Sequence, residues 1–417
     1  MTIRAVRGTR DILPEEVGVW HALEDAARGL LARYGYREIR TPLFEETELF
    51  ARGIGAETDI VAKEMYTFAD RDGGSLTLRP EATAGIVRAV IEHNLLNTDP
   101  ALKVYAVGSM FRRERPQKGR YRQFHQVDVE ALGYTAPTID AETIELALAY
   151  LDACGVEQHE LVLNSVGDRH CRPAYVQRLR EALRDRAPSM CPDCQRRAVT
   201  NPLRVLDCKV AEDQATIESL PRITDHLCPE CAGHFAEVRR QLELLGIPYR
   251  LDHRLVRGLD YYVRTTFEVT SGRLGAQSSV LGGGRYDGLV KDLGGPDAAG
   301  IGFAVGLERL ASLVPARGGK TRCHVFLMPL MKAALDPALR LQRELRRAGV
   351  ATMLDPEERS FKSRMKQADK LGARLVAIRG EDEAARGVWT VRDMARSEQE
   401  DVPEERILDH LKEKANG

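Results

Sequence analysis

The feature that most constrains this chain is a strand, a basic loop and a second strand in succession between residues 101 and 134. KVYAVGSMF before the loop and QFHQVDVEALGY after it are apolar or alternating, the pattern of extended chain. Between them lie the eleven residues 112–122, RRERPQKGRYR, with six basic residues against one acid. Pro116 and Gly119 bar a regular element from the middle of that segment. A loop of this charge, held at both ends by strands, suits polyphosphate or nucleic acid. The plainer alternative is a solvated surface hairpin. The second strand favours binding: Phe124, Gln126, Asp128 and Glu130 recur at a spacing of two, which puts a ring, an amide and two carboxylates on one strand face.

The rest of the chain bounds what that site can belong to. Its 417 residues allow two or three domains and a sizeable core. A net charge of −1 means that any RNA or phosphate recognition must come from local patches. The N-terminal MTIRAVRGTRDILPEE has no apolar signal core, and apolar runs such as IELALAYL (144–151) fall short of a membrane span. The expected location is the cytoplasm, with no membrane partner.

Helical spacing of Val19, Leu23, Ala26, Leu30 and Tyr34 predicts a helix over 15–35, ended by Gly35. YREIRTPLFEE reads as a strand broken by Pro42, and LTLRPEATAGIVRAVIEHNLL as a short strand turning into a helix at Pro80. A helix is expected over 141–155 and a strand over 159–166. Residues 167–250 change character: they are helical, rich in Arg and Glu, and hold six of the eight cysteines, so they read as an inserted module. Strands resume at 266–272, and GIGFAVGLERLASLV (300–314) is a strand running into a helix. PARGGKT (315–321) is a natural linker. Beyond it, strand and helix alternate through CHVFLMP, DPALRLQRELRRAG, VATMLD, FKSRMKQADKLG and ARLVAIRG, which predicts an α/β domain of about a hundred residues around a mostly parallel sheet. The expected domains are 1–166 with 251–316, an insertion at 167–250, and a separate unit at 321–417.

Three further segments carry chemistry. Arg309 stands in GLERL, after a strand whose glycines at 300, 302 and 306 imply close approach of a backbone or ligand. A strand-borne Arg112 and a helix-borne Arg309 can clamp a triphosphate from two sides. LVRGLDYYVRTTFEV (255–269) places Arg257, Asp260, Tyr261 and Tyr262 together, where a cross-strand aromatic pair beside a solvated arginine is the bland possibility. In LRPEATAG (78–85), Glu81 and Thr83 lie beside a helix N-terminus, where capping is the ordinary role.

Taken in order, TLRPEATAG, MFRRERPQKGRYRQFHQ, LVRGLDYY and GIGFAVGLERL resemble the histidyl-tRNA synthetases. REIRTPLFE resembles the first, dimer-forming motif of class II aminoacyl-tRNA synthetases, Arg112–Gln126 the second and GLERL the third, whereas LVRGLDYY resembles the segment particular to the histidine enzyme. The resemblance spans essentially the whole chain. It implies an α+β catalytic domain, with an antiparallel sheet, flanking helices and a helical insertion, followed by an α/β anticodon-binding domain. It also implies a homodimer that meets near Pro42, with L-histidine, ATP bound with Mg2+, and tRNA(His) as substrates. The implied reaction forms histidyl-adenylate, releases pyrophosphate and passes the histidyl group to tRNA. Arg112 and Arg257 are then expected at the α-phosphate, Arg257 standing where other class II enzymes place a magnesium ion and also touching the bound histidine. Arg120 and Arg309 are expected at the β- and γ-phosphates, and Phe124 on adenine. Glu81, Thr83 and Gln126 are expected at the α-ammonium, and Glu130 and Tyr262 at the imidazole, with Tyr261 alongside. The regulatory subunit of ATP phosphoribosyltransferase shares this fold, but it typically lacks the C-terminal domain and departs from RGLDYY.

The cysteines are read separately. Cys191/Cys194 and Cys228/Cys231 form two CxxC pairs that offer four thiolates to one tetrahedral zinc; free thiols in a helical insert are the alternative. In the C-terminal region, Lys332–Arg379 holds twelve basic residues against six acidic, and Gly380–Gly417 six against eleven. This asymmetry predicts one basic face for an anticodon stem, with FKSRMKQADK its most basic helix.

Overall fold

The computed structural model describes residues 2–55, 58–117, 119–275, 278–314, 323–357 and 359–416. It divides into two compact units, Met1–Ala316 and Arg317–Gly417. The expected linker, 315–321, lies outside the described residues, and the unit boundary falls within it.

Among the described residues, the first unit contains eleven strands: β1 (Arg37–Glu38), β2 (Phe44–Glu46), β3 (Tyr66–Ala69), β4 (Ser75–Leu78), β5 (Leu102–Phe111), β6 (Gln123–Leu132), β7 (Glu160–Ser165), β8 (Arg250–Leu251), β9 (Val263–Thr270), β10 (Ser279–Arg285) and β11 (Gly300–Gly306). Eight of them form one sheet in the order β1-β5-β6-β11-β10-β9-β7-β8. From β5 to β7 all neighbours are antiparallel, and only the short outer strands β1 and β8 pair in parallel. At the centre, the expected strand–loop–strand unit is a hairpin paired from Leu102 opposite Leu132 to Phe111 opposite Gln123.

The period of two on β6 separates core from site. Val127, Val129 and Ala131 join a large core with Ile301, Phe303 and Phe267 of neighbouring strands. Trp20, Ile144, Leu151, Val238 and Leu310 close that core from four helices, Val17–Arg33, Pro137–Cys154, Pro229–Leu244 and Leu307–Leu313. Truncating one such buried aliphatic to alanine costs about 2–5 kcal/mol. The intervening residues Phe124, Gln126, Asp128 and Glu130 point to the other side of the sheet. A buried ionic cluster fixes the strands to the helices. Arg285 on β10 is held by Asp140 of helix Pro137–Cys154, and Asp140 accepts from His234 Nε2 of helix Pro229–Leu244 at 2.8 Å. Burial alone would raise the Asp140 pKa, but the His234 hydrogen bond and the Arg285 charge outweigh it and hold the group below the carboxylate range.

Several boundaries differ from the sequence expectation. REIRTPLFE splits at Pro42 between two sheets: β1 joins the large sheet, and β2 joins β4 and β3 in a small one. The helix expected at Pro80 begins at Thr83, because Glu81 folds back and its carboxylate accepts from the Thr83 and Ala84 N–H groups at 2.8 and 2.9 Å. The 167–250 segment is helical and has a core of its own around Tyr175, Leu179, Val205 and Ile217. Its last helix, Pro229–Leu244, instead packs into the main core through Phe235, Val238 and Leu242.

The second unit holds β12 (Val325–Pro329), β13 (Thr352–Leu354), β14 (Leu375–Arg379), β15 (Val388–Asp393) and β16 (Glu398–Pro403), in the order β13-β12-β14-β15-β16. The first three are parallel, as alternation implied; β15 and β16 add an antiparallel hairpin that the sequence reading did not name. β16 reads EQEDVP and is exposed except at Val402, so its charges mark an edge strand that looks like loop. Helices Leu335–Arg347 and Ile407–Asn416 cover one face, and Phe361–Lys370 the other. Within Phe361–Lys370, Arg364 is buried and bonded to Asp355 Oδ2 at 3.1 Å and to the Pro329 carbonyl. It therefore belongs to the core and not to the basic face expected of this helix. Among the described residues, no helix is long and apolar enough to cross a membrane.

Candidate active site

The outward face of β6 opens on a cleft of about 540 Å³. Glu81, Thr83, Arg112, Arg120, Phe124, Gln126, Glu130, Arg257, Tyr261, Tyr262 and Arg309 all line it. They arrive from β6, the 112–122 loop, the LRPEATAG turn, the LVRGLDYY loop and the start of helix Leu307–Leu313. That helix is latched to β6 by Glu308, whose carboxylate accepts from the His125 backbone N–H at 3.0 Å, and this places Arg309 at the cleft. Glycine on β11 admits side chains of the site against the strand. A side chain at Gly302 would put its Cβ 1.9 Å from Glu130 Oε2, so Gly302 makes room for the protein's own carboxylate.

One part of the cleft is acidic and deeply buried. Thr83 Oγ1 donates to Glu130 Oε1 at 2.6 Å, and the Tyr286 hydroxyl donates to the other oxygen. Burial pushes the Glu130 carboxyl up to about 8 against the lowering effect of those hydrogen bonds. Asp128 is likewise pushed to about 8, first by burial and then by the Glu81 charge. Asp128 Oδ2 and Gln126 Oε1 are buried with no hydrogen-bond partner among the described residues. Unsatisfied buried acceptors are costly, and here they face a cleft in which a donor-bearing ligand would satisfy them. Glu81 is raised mainly by burial, and Tyr261 reaches it with its hydroxyl at 3.4 Å. The Tyr261 and Tyr262 rings lie 4.7 Å apart, and burial pushes Tyr262 up to about 12.

The other part is cationic. Arg112 donates Nε–H to the Pro80 carbonyl at 2.9 Å and lies over the Phe124 ring at 5.3 Å. Arg120 pairs with Glu114 at 2.9 Å. Arg309 donates to the Ser279 carbonyl at 2.7 Å, and burial followed by the nearby Arg120 charge lowers its pKa. Arg257 Nη1 meets Glu268 Oε2 at 2.6 Å. A Cβ at Gly282 would sit 2.4 Å from Arg257 Nη1, so glycine there admits the guanidinium against β10. The Arg112 charge also acts on Glu81 and Asp128, which puts it at the junction of the two parts.

The sequence reading missed Tyr286, Glu268 and the insertion residues Arg204, Asp207 and Lys209, all of which line the cleft. Glu268 lies on β9 and carries no motif. Tyr286 comes directly after the glycine run of β10, where RYDG reads as turn. The single four-thiolate set of Cys191, Cys194, Cys228 and Cys231 does not form. Cys191 and Cys194 gather with Cys208 and Asp213, whereas Cys228 and Cys231 gather with Cys171 and Asp168.

The histidyl-tRNA synthetase family model matches residues 8–310, and an anticodon-binding domain model matches residues 324–414. A histidine–tRNA ligase from Solibacter usitatus is 52% identical over 415 residues, covering 99% of this chain and all of the relative. One from Koribacter versatilis is 50% identical, covering 96% of this chain and 94% of that one. The crystal structure of apo histidyl-tRNA synthetase from S. aureus superposes with a TM-score of 0.82 at 36% identity, covering 99% of this chain and 100% of that chain.

Proposed function

The chain belongs to the histidyl-tRNA synthetase family, and from that premise we propose that it ligates L-histidine to tRNA(His) in the cleft described, by way of a histidyl-adenylate. A histidine carboxylate oxygen attacks the α-phosphorus of ATP, the bond to the β-phosphate bridge breaks, and pyrophosphate leaves. A hydroxyl of the 3′-terminal ribose of tRNA then attacks the histidyl carbonyl, and AMP leaves.

The difficulty in the first step is the approach of two anions, so catalysis consists of placing positive charge where charge develops. Arg112 and Arg257 are proposed at the α-phosphate, Arg120 and Arg309 at the outer phosphates, and Phe124 against adenine. Mg2+ enters as part of the ATP complex; Glu114 and Glu268, beside these arginines, offer the oxygen donors that such an ion takes. Glu81, Thr83 and Gln126 are proposed to hold the α-ammonium, with Asp128 behind them. Glu130 and Tyr262 are proposed to read the imidazole, which presents one donor and one acceptor. Tyr286 and Thr83 would orient Glu130, and Tyr261 would support Glu81. Buried polar groups left unpaired by a wrong amino acid would reject it strongly.

The observation that carries this reading is the convergence on one cleft of a buried acid pocket and an arginine cluster, joined at Arg112. Charging of tRNA(His) transcript with labelled histidine tests it. Charging that depends on ATP and histidine supports it, whereas folded protein that charges no tRNA counts against it.

We further propose a homodimer and an anticodon-binding second unit. Leu43, Phe44 and Phe68 are exposed large apolar residues on or beside the small sheet next to Pro42, which suits a subunit contact. Sedimentation of a Phe44→Asp variant tests this, with a shift to monomer expected.

A further inference from the structure

We propose that the segment between residues 168 and 231 binds two structural zinc ions, each through three cysteine thiolates and one aspartate. The first site is Cys191, Cys194, Cys208 and Asp213; the second is Asp168, Cys171, Cys228 and Cys231. Within each set the candidate ligand atoms all lie within 4.8 Å of one another.

The spacings match a tetrahedral ion. With Zn–S near 2.3 Å and Zn–O near 2.0 Å, tetrahedral angles separate two sulfurs by about 3.8 Å and a sulfur from an oxygen by about 3.5 Å. Cys191 and Cys208 sulfurs are 3.8 Å apart, and Cys208 Sγ is 3.3 Å from Asp213 Oδ2. In the second set, Asp168 Oδ1 is 3.6 Å from Cys171 Sγ and 4.0 Å from Cys228 Sγ. A disulfide needs about 2.05 Å between sulfurs, and a set of three cysteines cannot pair fully.

The backbone around both sets is arranged to hold the sulfurs in place. Cys191 and Cys228 each stand at the N-cap of a helix that opens with proline, so two ligands in different sets are placed by the same local device. Backbone N–H groups donate to sulfur at 3.4 Å in both sets: Cys194 to Cys191, Val210 to Cys208 and Asp168 to Cys171. The Arg264 guanidinium lies 3.6 Å from Asp168 Oδ2 and offsets part of the excess negative charge in the second site. Three thiol protons leave to solvent as each ion binds. The same ligand set is assembled twice from different stretches of chain, and it uses six of the eight cysteines. Cys154 and Cys323 instead pack in apolar cores.

Position gives each ion a task. Cys208 stands between Asp207 and Lys209, which line the cleft, so the first ion would fix the loop that carries them. Asp168 and Cys171 come just after β7, and Cys228 and Cys231 begin the helix that returns to the main core. The second ion would therefore clip the insertion where it leaves and where it rejoins.

Zinc in the full-length chain, purified under reducing conditions without chelator, is to be measured by mass spectrometry and by release with a thiol reagent. Two zinc ions per chain are expected, falling to one in Cys194→Ser, one in Cys231→Ser and none in the double variant. Cobalt loaded in place of zinc should give the charge-transfer and intense visible bands of tetrahedral thiolate coordination. Should the serine variants fail to fold, Asp213→Asn and Asp168→Asn keep every thiol, and each should weaken retention of one ion against a chelator. Folded wild-type protein with fewer than two zinc ions overturns the proposal. So does a single ion lost in either cysteine variant, which would restore one shared four-thiolate site.

Discussion

The acid pocket and the arginine cluster share one cleft but are built on opposite principles. Asp128 and Glu130 are 1% and 2% exposed, lie on a central strand and are kept protonated by burial into the neutral range. The side chains of Arg112 and Arg120 are 21% and 37% exposed and rise from a loop. Several arginine bonds end on backbone carbonyls, as in Arg112 to Pro80 and Arg309 to Ser279, which orient the guanidinium without cancelling its charge. On the proposed reading, a small amino acid would be read by buried groups that are costly to leave unpaired, whereas a large flexible triphosphate would be gathered by oriented charge that is partly exposed.

The largest effect should come where the two parts act on the same reaction. Arg257→Ala should slow adenylate formation by about 10²–10³-fold while leaving the ATP dissociation constant within a few-fold. Single-turnover kinetics beside equilibrium binding separate the two, and equal losses in both would assign Arg257 to ground-state binding. Next, Glu130→Gln should raise the KM for histidine by about 10–100-fold with little change in the KM for ATP. Loss of ATP affinity of the same size would erase the division of the cleft.

The raised carboxyls give the comparison a pH signature. An ammonium ion entering the pocket favours ionised Asp128, so below pH about 8 histidine binding should release a proton. kcat/KM for histidine should then rise between pH 6 and 8. Calorimetry in two buffers of different ionisation enthalpy should show proton release in wild type and less in Asp128→Asn. Stability moves in the opposite direction. The folded-state pKa of about 8 lies above the unfolded value near 4, so the folded state holds the extra proton in this window. The stability present below pH about 4 is lost as pH rises towards 8 and levels off above it. Asp128→Asn should flatten that slope in a pH series of urea melts.

The smallest effect is expected in the second unit. Lys362 and Lys366 are exposed on helix Phe361–Lys370. Replacing both by alanine should raise the KM for tRNA a few-fold and shallow its salt dependence, with pyrophosphate exchange unchanged. An equal loss in exchange would show that the change reaches the catalytic unit.

Much of the cleft was legible in sequence because β6 writes its two faces alternately: Val127, Val129 and Ala131 for the core, and Phe124, Gln126 and Glu130 for the site. Pro116 and Gly119 marked the loop for the same local reason. The residues that escaped depend on distant segments. Tyr286 reaches Glu130 across 156 positions, and no local pattern announces it. Asp168 and Asp213 were invisible as partners of the cysteines because only the folded insertion brings them there. Arg364 looked like part of a basic face because its buried partner Asp355 lies on the preceding turn of chain.

If the acid pocket admits histidine alone to the phosphate site, as proposed, exchange of labelled pyrophosphate into ATP will depend on which amino acid is supplied. With each of the twenty amino acids tested separately, exchange is expected with histidine only. Exchange with a different amino acid, or none with any from folded protein, would contradict it.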